Sequence, residues 1–562
     1  MRKTIIVLCL LLNAGLLQAQ IPYTTQIKIT DSLYKAASTW AAASVPDSAF
    51  RKLDAIAGIS YFNYDQLSTD NRFNSIHADQ RWLPLLDRIK TVKLTVYTAN
   101  ELEKDFDLLI AALKEAHTGL YWYNTRPQFD SLCRAQRAKI KPGLTDLDFY
   151  NIVAPIPAFI KEGHTAMNIG AKTQTYLKFS GTYFPVFLKF LNNKAYIIND
   201  LGNVKIKGLE LTKVNGHPIA ELMQQFMSYE PSDGYNTTGK YRWIEQNAKF
   251  STYYARSYPF TASYTIEVAD PLTGKKRTLN QIAAVNYTDF RKSYQTVSNE
   301  IGGINYTLPA EIKIDSITQT AVLTFNTFSK KRYQAAKMDF HQFVDEAFLR
   351  IKKQQVKHLI IDIRKNGGGR EGYEDYLLAY LTDKEYLKYK YVQASAFSYS
   401  FYQYSELNDD YKEFEQGLKD EHYLEKDGRI LRKPDILVHE KPKPNPFAGD
   451  LYVLTSGLTY SGGSEFASLA RNHTNAVFVG EETSGGYYGN TSGITILVQL
   501  PASKIQIEIP ILKFVVDTPK GDVAFGHGTP PDYTIEPTIK QFLAGYDAEM
   551  ETVKKLIKAK AL

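Results

Sequence analysis

The sequence is poor in the residues that build disulfides, thiolate metal sites and membrane spans. Among its 562 residues are two cysteines, Cys9 and Cys133, and Cys9 lies in an apolar N-terminal stretch. If that stretch is removed, the remaining cysteine has no intrachain partner for a disulfide or a thiolate metal cluster. After the first twenty residues, no apolar run is long enough to predict a transmembrane helix. These absences exclude a small scaffold stabilised by disulfides and favour a globular protein stabilised by its own apolar core.

An excess of charge of one sign is also missing. The formal net charge is +7, and without Arg2 and Lys3 the chain has 65 basic and 60 acidic residues. This small excess, with no basic run, argues against a nucleic-acid partner. The 44% hydrophobic and 13% aromatic content predicts a well-packed protein. The length predicts about two to four domains.

Several common catalytic motifs are absent as well. The sequence has no P-loop and no His-Glu-x-x-His zinc motif. The nucleophile elbow of α/β-hydrolases needs glycine two residues before its serine, and before Ser461 that position is Thr459. We therefore predict no metal and no cofactor.

The first nineteen residues predict export. Arg2 and Lys3 precede an apolar run at residues 5–17, which is too short to span a bilayer, and Ala19 supplies a small residue for cleavage. An uncleaved N-terminal anchor is the alternative. Cys9 lies inside the apolar run, whereas a lipoprotein cysteine would lie at the cleavage point. The expected location is the periplasm, the cell surface or the surrounding medium.

Residues 20–98 are predicted to be helical. Apolar residues such as Ala37, Ala41, Leu53 and Ile56 recur at helical spacing. The segment resembles a single tetratricopeptide unit. One such unit cannot bury its own apolar face, so we expect it to dock on the next region and to be a candidate binding site for a protein partner.

Residues 99–180 are predicted to continue as helices up to residue 163 and to carry the sequence Gly163-His164-Thr165. A histidine that follows a glycine at the end of a helix can project away from the helix. A lone histidine more often has a structural role, so the motif alone does not decide its function.

Residues 181–300 change to β-strand patterns. A hairpin is predicted around Asn192-Asn193, and a strand, an Asn215-Gly216 turn, a short strand and a helix follow. This order resembles the second half of a PDZ domain. The carboxylate-binding glycine loop of PDZ domains is not evident here, so the PDZ-like module is not predicted to bind peptides.

Residues 301–562 alternate between strand and helix patterns. A buried strand at 356–363 leads into Gly367-Gly368-Gly369, and three glycines allow the backbone to approach another group closely. Residues 384–447 are interpreted as an insertion or lid.

Residues 450–486 predict a strand, a turn, a helix, a second strand and a glycine-rich loop. Ser461 stands where the helix begins. There a serine either caps the helix or acts as a nucleophile beside unpaired backbone N–H groups, which stabilise an oxyanion.

Four motifs occur in a fixed order along the chain. They are Gly-His-Thr, Asp-x-Arg-x-Asn-Gly-Gly-Gly, Ser-Gly-Gly-Ser-Glu-Phe-Ala with Val-Gly-Glu-x-Thr, and Gly-x-Pro-Pro-Asp. Together they resemble the S41 serine peptidases of the tail-specific and tricorn type, over most of the chain from about residue 99. The resemblance implies an α/β multidomain protein with a ClpP/crotonase-like catalytic domain that hydrolyses proteins or peptides.

The resemblance also implies roles for individual residues. Ser461 falls on the family nucleophile, and His164 matches the base of the His-using branch. The Lys-using branch places its base at the position of Gly486, which excludes that mechanism on this alignment. The oxyanion would be held by backbone N–H groups of Gly462 and of Gly367 or Gly368.

Two positions depart from the family pattern. Phe525 stands where the family has its acidic third member, and Ser464 occupies the usual acidic position after the nucleophile. The substitutes considered for the acid are Asp517, Asp522 and Glu465, without a choice among them.

His527, in the terminal motif, is a rival base. The departures leave open a second function, a weakened or inactive peptidase fold that binds peptides or proteins as a scaffold. A third, an esterase acting on a small ester, would use the same nucleophile.

Overall fold

The computed structural model describes residues 23–59, 64–300, 307–437 and 439–560. The predicted signal peptide, residues 1–19, lies outside the described residues. No helix in the described part of the chain has the length and apolar character needed to cross a membrane.

The architecture is mixed α/β and multidomain, with several sheets and many helices. The α-helices are α1 Tyr23–Ala42, α2 Pro46–Ile59, α3 Tyr64–Thr69, α4 Trp82–Lys90, α5 Ala99–Ala116, α6 Arg126–Arg137, α7 Asp146–Val153, α8 Pro155–Ile160, α9 Ala171–Ser180, α10 Ile219–Met227, α11 Thr238–Glu245, α12 Lys249–Ser257, α13 Tyr287–Glu300, α14 Lys330–Ala335, α15 Phe340–Lys353, α16 Tyr373–Leu378, α17 Tyr411–Glu421, α18 Gly462–His473, α19 Ile539–Leu543 and α20 Ala548–Lys560.

The strands are β1 Met167–Asn168, β2 Leu188–Leu191, β3 Lys194–Ile197, β4 Glu210–Val214, β5 His217–Pro218, β6 Ser263–Ala269, β7 Lys276–Ala283, β8 Ala310–Asp315, β9 Thr320–Phe325, β10 His358–Asp362, β11 Tyr386–Leu387, β12 Tyr389–Ala394, β13 His422–Leu424, β14 Ile430–Arg432, β15 His439–Glu440, β16 Asp450–Thr455, β17 Val477–Gly480, β18 Gly489–Gln499, β19 Gln506–Val516 and β20 Tyr533–Thr534.

The N-terminal region is helical, as its apolar spacing predicts. Helices α1 to α4 enclose a core of their own, which includes Ala37, Leu53 and Trp82. The region touches helix α9, where the rings of Tyr64 and Phe179 meet edge to face at 4.9 Å. The expected docking on the following region is therefore present, while the tetratricopeptide assignment stays a prediction.

The predicted hairpins of residues 181–300 are present in one antiparallel sheet, ordered β2-β3-β4-β6-β7. Asn192 and Asn193 adopt positive φ angles of 49° and 59°, and Asn215 has φ of 48° before Gly216 at 84°. Two successive residues with positive φ match the twist of a two-residue hairpin, which is why Asn and Gly stand there.

A six-stranded sheet, ordered β20-β17-β16-β10-β9-β8, positions the candidate site. Its strands are parallel except for β8. Leu359, Ile361 and Val453 belong to the main core together with Phe466 of α18. The opposite face of the sheet packs against Val553 of α20. Both faces are buried, and the carboxyl ends of β10 and β16 lie at one edge.

A second six-stranded sheet contains the long strands β18 and β19. The sequence predicts two strands, 505–509 and 512–516, but the structure has a single strand, β19. Pro510 interrupts the apolar pattern, and the chain accommodates it beside a register shift between Ser492 and Thr495. The segment 384–447 contributes β12, β13 and β14 to this same sheet, so part of it is built into the fold.

Candidate active site

Ser461 lies in a sharp turn between β16 and α18. Its φ and ψ angles are 51° and −128°, a conformation that is costly for any residue other than glycine. The turn is fixed because Thr459 Oγ1 donates to the Ile363 carbonyl (2.9 Å) and Tyr460 N–H donates to the Asn366 carbonyl (3.0 Å). The Ser461 side chain makes no capping bond to α18. The capping interpretation is therefore wrong, and the hydroxyl is directed elsewhere.

The Ser461 hydroxyl meets His164. The distance between Ser461 Oγ and His164 Nε2 is 3.1 Å, although 297 positions separate the two residues. Lys161, the residue after helix α8, adopts the left-handed conformation (φ 63°) and turns the chain so that the next residues leave the helix axis. The structure thus brings together the two side chains that the sequence singled out.

On its far side, the imidazole contacts Glu162, which the sequence analysis missed. His164 Nδ1 lies 3.0 Å from Glu162 Oε1, and Glu162 Oε2 accepts a hydrogen bond from Thr491 N–H (2.8 Å). Glu162 is fully buried, and burial raises its pKa to about 7. The available signal was the sequence Glu-Gly-His itself, where a carboxylate stands two residues before the histidine.

Tyr460 adds a second contact at the same imidazole nitrogen. Its hydroxyl lies 2.7 Å from His164 Nδ1, and the two rings stack with centroids 4.7 Å apart. A Cβ atom on Gly163 would come within 2.5 Å of the Tyr460 hydroxyl, so the glycine between Glu162 and His164 permits this packing. No motif in the sequence singled out Tyr460.

Asp233 joins three segments behind the histidine. Its carboxylate accepts hydrogen bonds from Gly163 N–H (2.8 Å) and Gly486 N–H (2.9 Å), and the Tyr460 hydroxyl lies 3.4 Å away. Gly486 is the position at which the Lys-using branch would carry its base, and here its amide fixes a buried aspartate instead. Burial raises the pKa of Asp233 well above its usual range, and the Glu162 carboxylate raises it further.

Burial also determines the charge state of the imidazole. The side chain of His164 is 17% exposed, and desolvation lowers its pKa, although the Asp233 carboxylate opposes this effect. A neutral imidazole at neutral pH can accept a proton from a hydroxyl. The pKa shift therefore favours the neutral imidazole.

The glycine loop after β10 lies directly against the serine. Gly368 has φ of 88°, and a Cβ atom there would come within 2.7 Å of Ser461 Cβ and 2.6 Å of Gly462 N. The N–H group of Gly368 already donates to Asn366 Oδ1 (2.8 Å). Gly462 is the first residue of α18, so its N–H group has no acceptor within the helix. The sequence-based assignment of Gly462, Gly367 and Gly368 to an oxyanion hole stays a prediction.

The rival base lies in a different environment. His527 Nδ1 contacts Glu482 Oε1 at 3.1 Å, and the His527 side chain is 44% exposed. In the part of the chain that the structure describes, no hydrogen bond joins His527 to Ser461.

The three acidic residues considered as the third member have other partners. Glu465 accepts from Tyr389 and Asn490, Asp522 accepts from Tyr487, and Asp517 is near Lys390. Over the described residues, none of the three is hydrogen-bonded to His164. Phe525 packs against aromatic rings, including that of Tyr123 at 5.3 Å.

Glu162, His164 and Asp233 also form a set of potential metal ligands, with one ligand atom from each within 4.8 Å of the others. Each of these atoms already takes part in the hydrogen bonds described above. The same carboxylates and imidazole that would bind a cation thus orient one another and the adjoining backbone.

Comparison with known proteins relates part of the chain to a known peptidase family. Residues 319–535 match the sequence model of Peptidase family S41. The solved structure of mature CPAF complexed with lactacystin is similar, with a TM-score of 0.56, 14% identity, and coverage of 82% of this chain and 98% of that chain. The structure of mature CPAF alone is also similar, with a TM-score of 0.53, 13% identity, and coverage of 82% of this chain and 97% of that chain. These likenesses show a shared fold, and no curated protein matches the chain. Residues 319–535, which include Ser461, therefore have the sequence of peptidase family S41, and this match supports a serine peptidase.

Proposed function

We propose that the protein is an exported endopeptidase that hydrolyses peptide bonds through an acyl-enzyme on Ser461, with His164 as the general base. The observation that carries this proposal is the 3.1 Å contact between Ser461 Oγ and His164 Nε2. Nucleophile and base within hydrogen-bond distance, with a third group that orients the base, form the arrangement of serine hydrolases.

In the proposed reaction, Ser461 Oγ attacks the peptide carbonyl as His164 Nε2 takes the hydroxyl proton. The resulting imidazolium then donates this proton to the leaving amine, and water hydrolyses the acyl-enzyme by the same route. Glu162 Oε1 accepts from Nδ1–H, which keeps Nε2 free to act as the base and stabilises the imidazolium. Glu162 thus replaces the acid that is absent at Phe525, from a different part of the chain.

The tetrahedral intermediate needs donors for its oxyanion. We assign this role to the N–H groups of Gly462 and Gly367, with Gly368 providing the close approach of the two backbones. The free N–H group at the start of α18 and the positive end of the helix support Gly462. Loss of one oxyanion donor typically reduces kcat by about a hundredfold or more.

The proposal also covers the type of the catalytic domain, the PDZ-like module and the location of the protein. The parallel sheet with helices on both faces is what a ClpP/crotonase-like catalytic domain would present, and the sheet of residues 181–300 has the order expected of a PDZ-like module. The basic and apolar N-terminal sequence supports export to the periplasm or beyond. The helical region 20–98 is the candidate contact for a protein partner, beside the peptide substrate itself.

The function can be tested with a degenerate peptide library read by mass spectrometry. The wild-type protein should cleave library members, and Ser461→Ala should abolish cleavage while retaining the melting temperature within a few degrees. Absence of cleavage by a folded wild-type protein would reject the peptidase mechanism. Turnover of small esters without peptide cleavage would favour the esterase alternative.

The second candidate function is a scaffold that binds peptides without cleaving them. Phe525 and Ser464, which stand at positions that are acidic in the family, favour it. Binding of library peptides that is equal in the wild type and Ser461→Ala, with no cleavage by either, would support the scaffold.

A further inference from the structure

A cavity of about 380 Å³ opens beside the candidate site. Gly163 and Tyr460, which flank His164 and Ser461, form part of its wall. The remaining wall is mainly aromatic and charged, and includes Tyr150, Glu230, Trp243, Lys249, Tyr253 and Arg256. A cavity that shares its wall with the catalytic pair is placed to receive part of a bound substrate.

The carboxylate in this wall is already neutralised. Glu230 is buried, and its Oε1 accepts from Lys249 Nζ (2.6 Å) while its Oε2 accepts from the Tyr253 hydroxyl (2.6 Å). Glu230 and Lys249 therefore cancel each other's charge and hold one side of the cavity rigid.

Arg256 is the second basic residue of the cavity wall. Among the described residues, it forms no ion pair with a carboxylate, and its Nε is buried without an acceptor. The guanidinium lies over the rings of Tyr150 and Tyr253, 5.4 and 5.9 Å from their centroids, and one terminal nitrogen is 3.4 Å from the Tyr150 hydroxyl. Stacking orients the guanidinium but leaves most of its five donors free.

We propose that this cavity is a subsite for a carboxylate of the peptide substrate, bound by Arg256. A planar guanidinium matches a carboxylate with two parallel hydrogen bonds, and the half-buried position of Arg256 strengthens such a contact relative to open solvent. This proposal rests on the proposed peptidase function. The carboxylate can come from an Asp or Glu side chain or from the C-terminus of the substrate, and both present the same group to Arg256.

The experiment compares peptides that differ by one charge. From a cleaved library member, Glu/Gln pairs are made at each position around the scissile bond, together with a C-terminal acid and its amide. For the wild type, we expect kcat/KM to favour one carboxylate form by about ten- to hundredfold. Arg256→Met should reduce this preference to about one, and Arg256→Lys should retain part of it.

Two controls separate recognition from loss of structure. The kcat/KM of every variant is expressed per Ser461 site labelled by a serine-reactive fluorophosphonate, so that a loss of folded enzyme is not read as a loss of recognition. Arg134→Met, which removes an exposed arginine on α6, should keep the full preference. The Ser461→Ala variant should bind the preferred peptide more tightly than its neutral partner in fluorescence anisotropy.

The outcomes distinguish the two proposals. A wild type that is labelled and cleaves peptides with equal kcat/KM for every charged and neutral pair would overturn the carboxylate subsite but not the peptidase function. A preference that survives in Arg256→Met would also overturn it. A wild type with neither labelling nor cleavage would reject the function itself. The Glu/Gln pairs and the acid/amide pair identify which carboxylate is bound.

Discussion

Among the described residues, His164, His358 and His527 each contact a carboxylate, and of the two candidate bases, His164 and His527, only His164 faces a nucleophile. His164 Nδ1 lies 3.0 Å from Glu162 Oε1, and His527 Nδ1 lies 3.1 Å from Glu482 Oε1. The carboxylate of each pair also accepts a backbone N–H bond. By local hydrogen bonding alone, the two histidines are nearly equivalent.

The environments of the two pairs differ. The side chain of His164 is 17% exposed and stacks on Tyr460, with its Nε2 directed at Ser461. The side chain of His527 is 44% exposed. Burial and the contact made by the second ring nitrogen thus distinguish the proposed base, His164, from His527, whereas the carboxylate partner does not.

The largest expected difference is between the kcat/KM values of the two variants in which a histidine is replaced by alanine. His164→Ala should lower kcat/KM for a cleaved peptide by about ten-thousandfold, because the serine loses its proton acceptor. His527→Ala should stay within about twofold of the wild type. Steady-state kinetics on the same peptide measures both, and a large loss in His527→Ala with full activity in His164→Ala would reverse the assignment.

The second largest difference is expected between the substitutions of the two carboxylates, Glu162 and Glu482. In Glu162→Gln, the amide nitrogen must face either His164 Nδ1 or Thr491 N–H, so one hydrogen bond is lost and the imidazole is free to take the wrong tautomer. We expect kcat to fall by about a hundred- to ten-thousandfold. The matched change Glu482→Gln should have little effect. Equal activities of the two variants in the peptide assay would contradict a role for Glu162.

The pH dependence provides a third contrast. Glu162 must be ionised to accept from Nδ1–H, and burial raises its pKa to about 7, so activity should fall as the pH drops below about 7. Each further pH unit should cost about tenfold in kcat/KM while a single proton controls activity. An acid limb near the ordinary glutamate pKa, in a kcat/KM profile from pH 4.5 to 9, would contradict this.

The same pKa shift affects stability in the opposite direction. The folded-state pKa of Glu162 is raised, so its buried carboxyl contributes to the free energy of unfolding fully below about pH 4.5, and this contribution is lost as the pH rises to about 7. The pH range that activates the site is therefore the range in which Glu162 stops stabilising the fold.

The smallest effect is expected at Tyr460. Tyr460→Phe keeps the ring stacked on His164 but removes the hydroxyl that contacts Nδ1 and Asp233. We expect kcat to fall by about three- to tenfold with KM unchanged, as for loss of one hydrogen bond. The exposed Tyr533 supplies the control, Tyr533→Phe. A purely structural role would instead lower the melting temperature and leave the kcat of the folded fraction unchanged.

Much of the fold was predictable because its patterns are local. The helices of the N-terminal region follow from apolar spacing, and the hairpin turns follow from Asn192-Asn193 and Asn215-Gly216. The sequence-based split at Pro510 was wrong because a register shift in a neighbouring strand, which no local pattern shows, allows the proline inside β19.

The candidate site was predictable to a smaller extent. Ser461 and His164 carried motif signals, and the structure brings them together. Asp233 and Tyr460 carried no such signal, because their contacts join segments far apart in sequence, and Glu162 carried only the local pattern Glu-Gly-His. Asp233, for example, bonds the amide of Gly486, 253 positions away. The acid was expected at Asp517, Asp522 or Glu465, whereas the acid that contacts His164 stands two residues before it.

The most direct test of the central claim is active-site labelling with a fluorophosphonate, with the modified residue located by mass spectrometry. Wild type and His527→Ala should be labelled on Ser461 at similar rates, and His164→Ala should be labelled at least about a hundredfold more slowly. Rapid labelling of Ser461 in His164→Ala, or its loss in His527→Ala, would contradict the account.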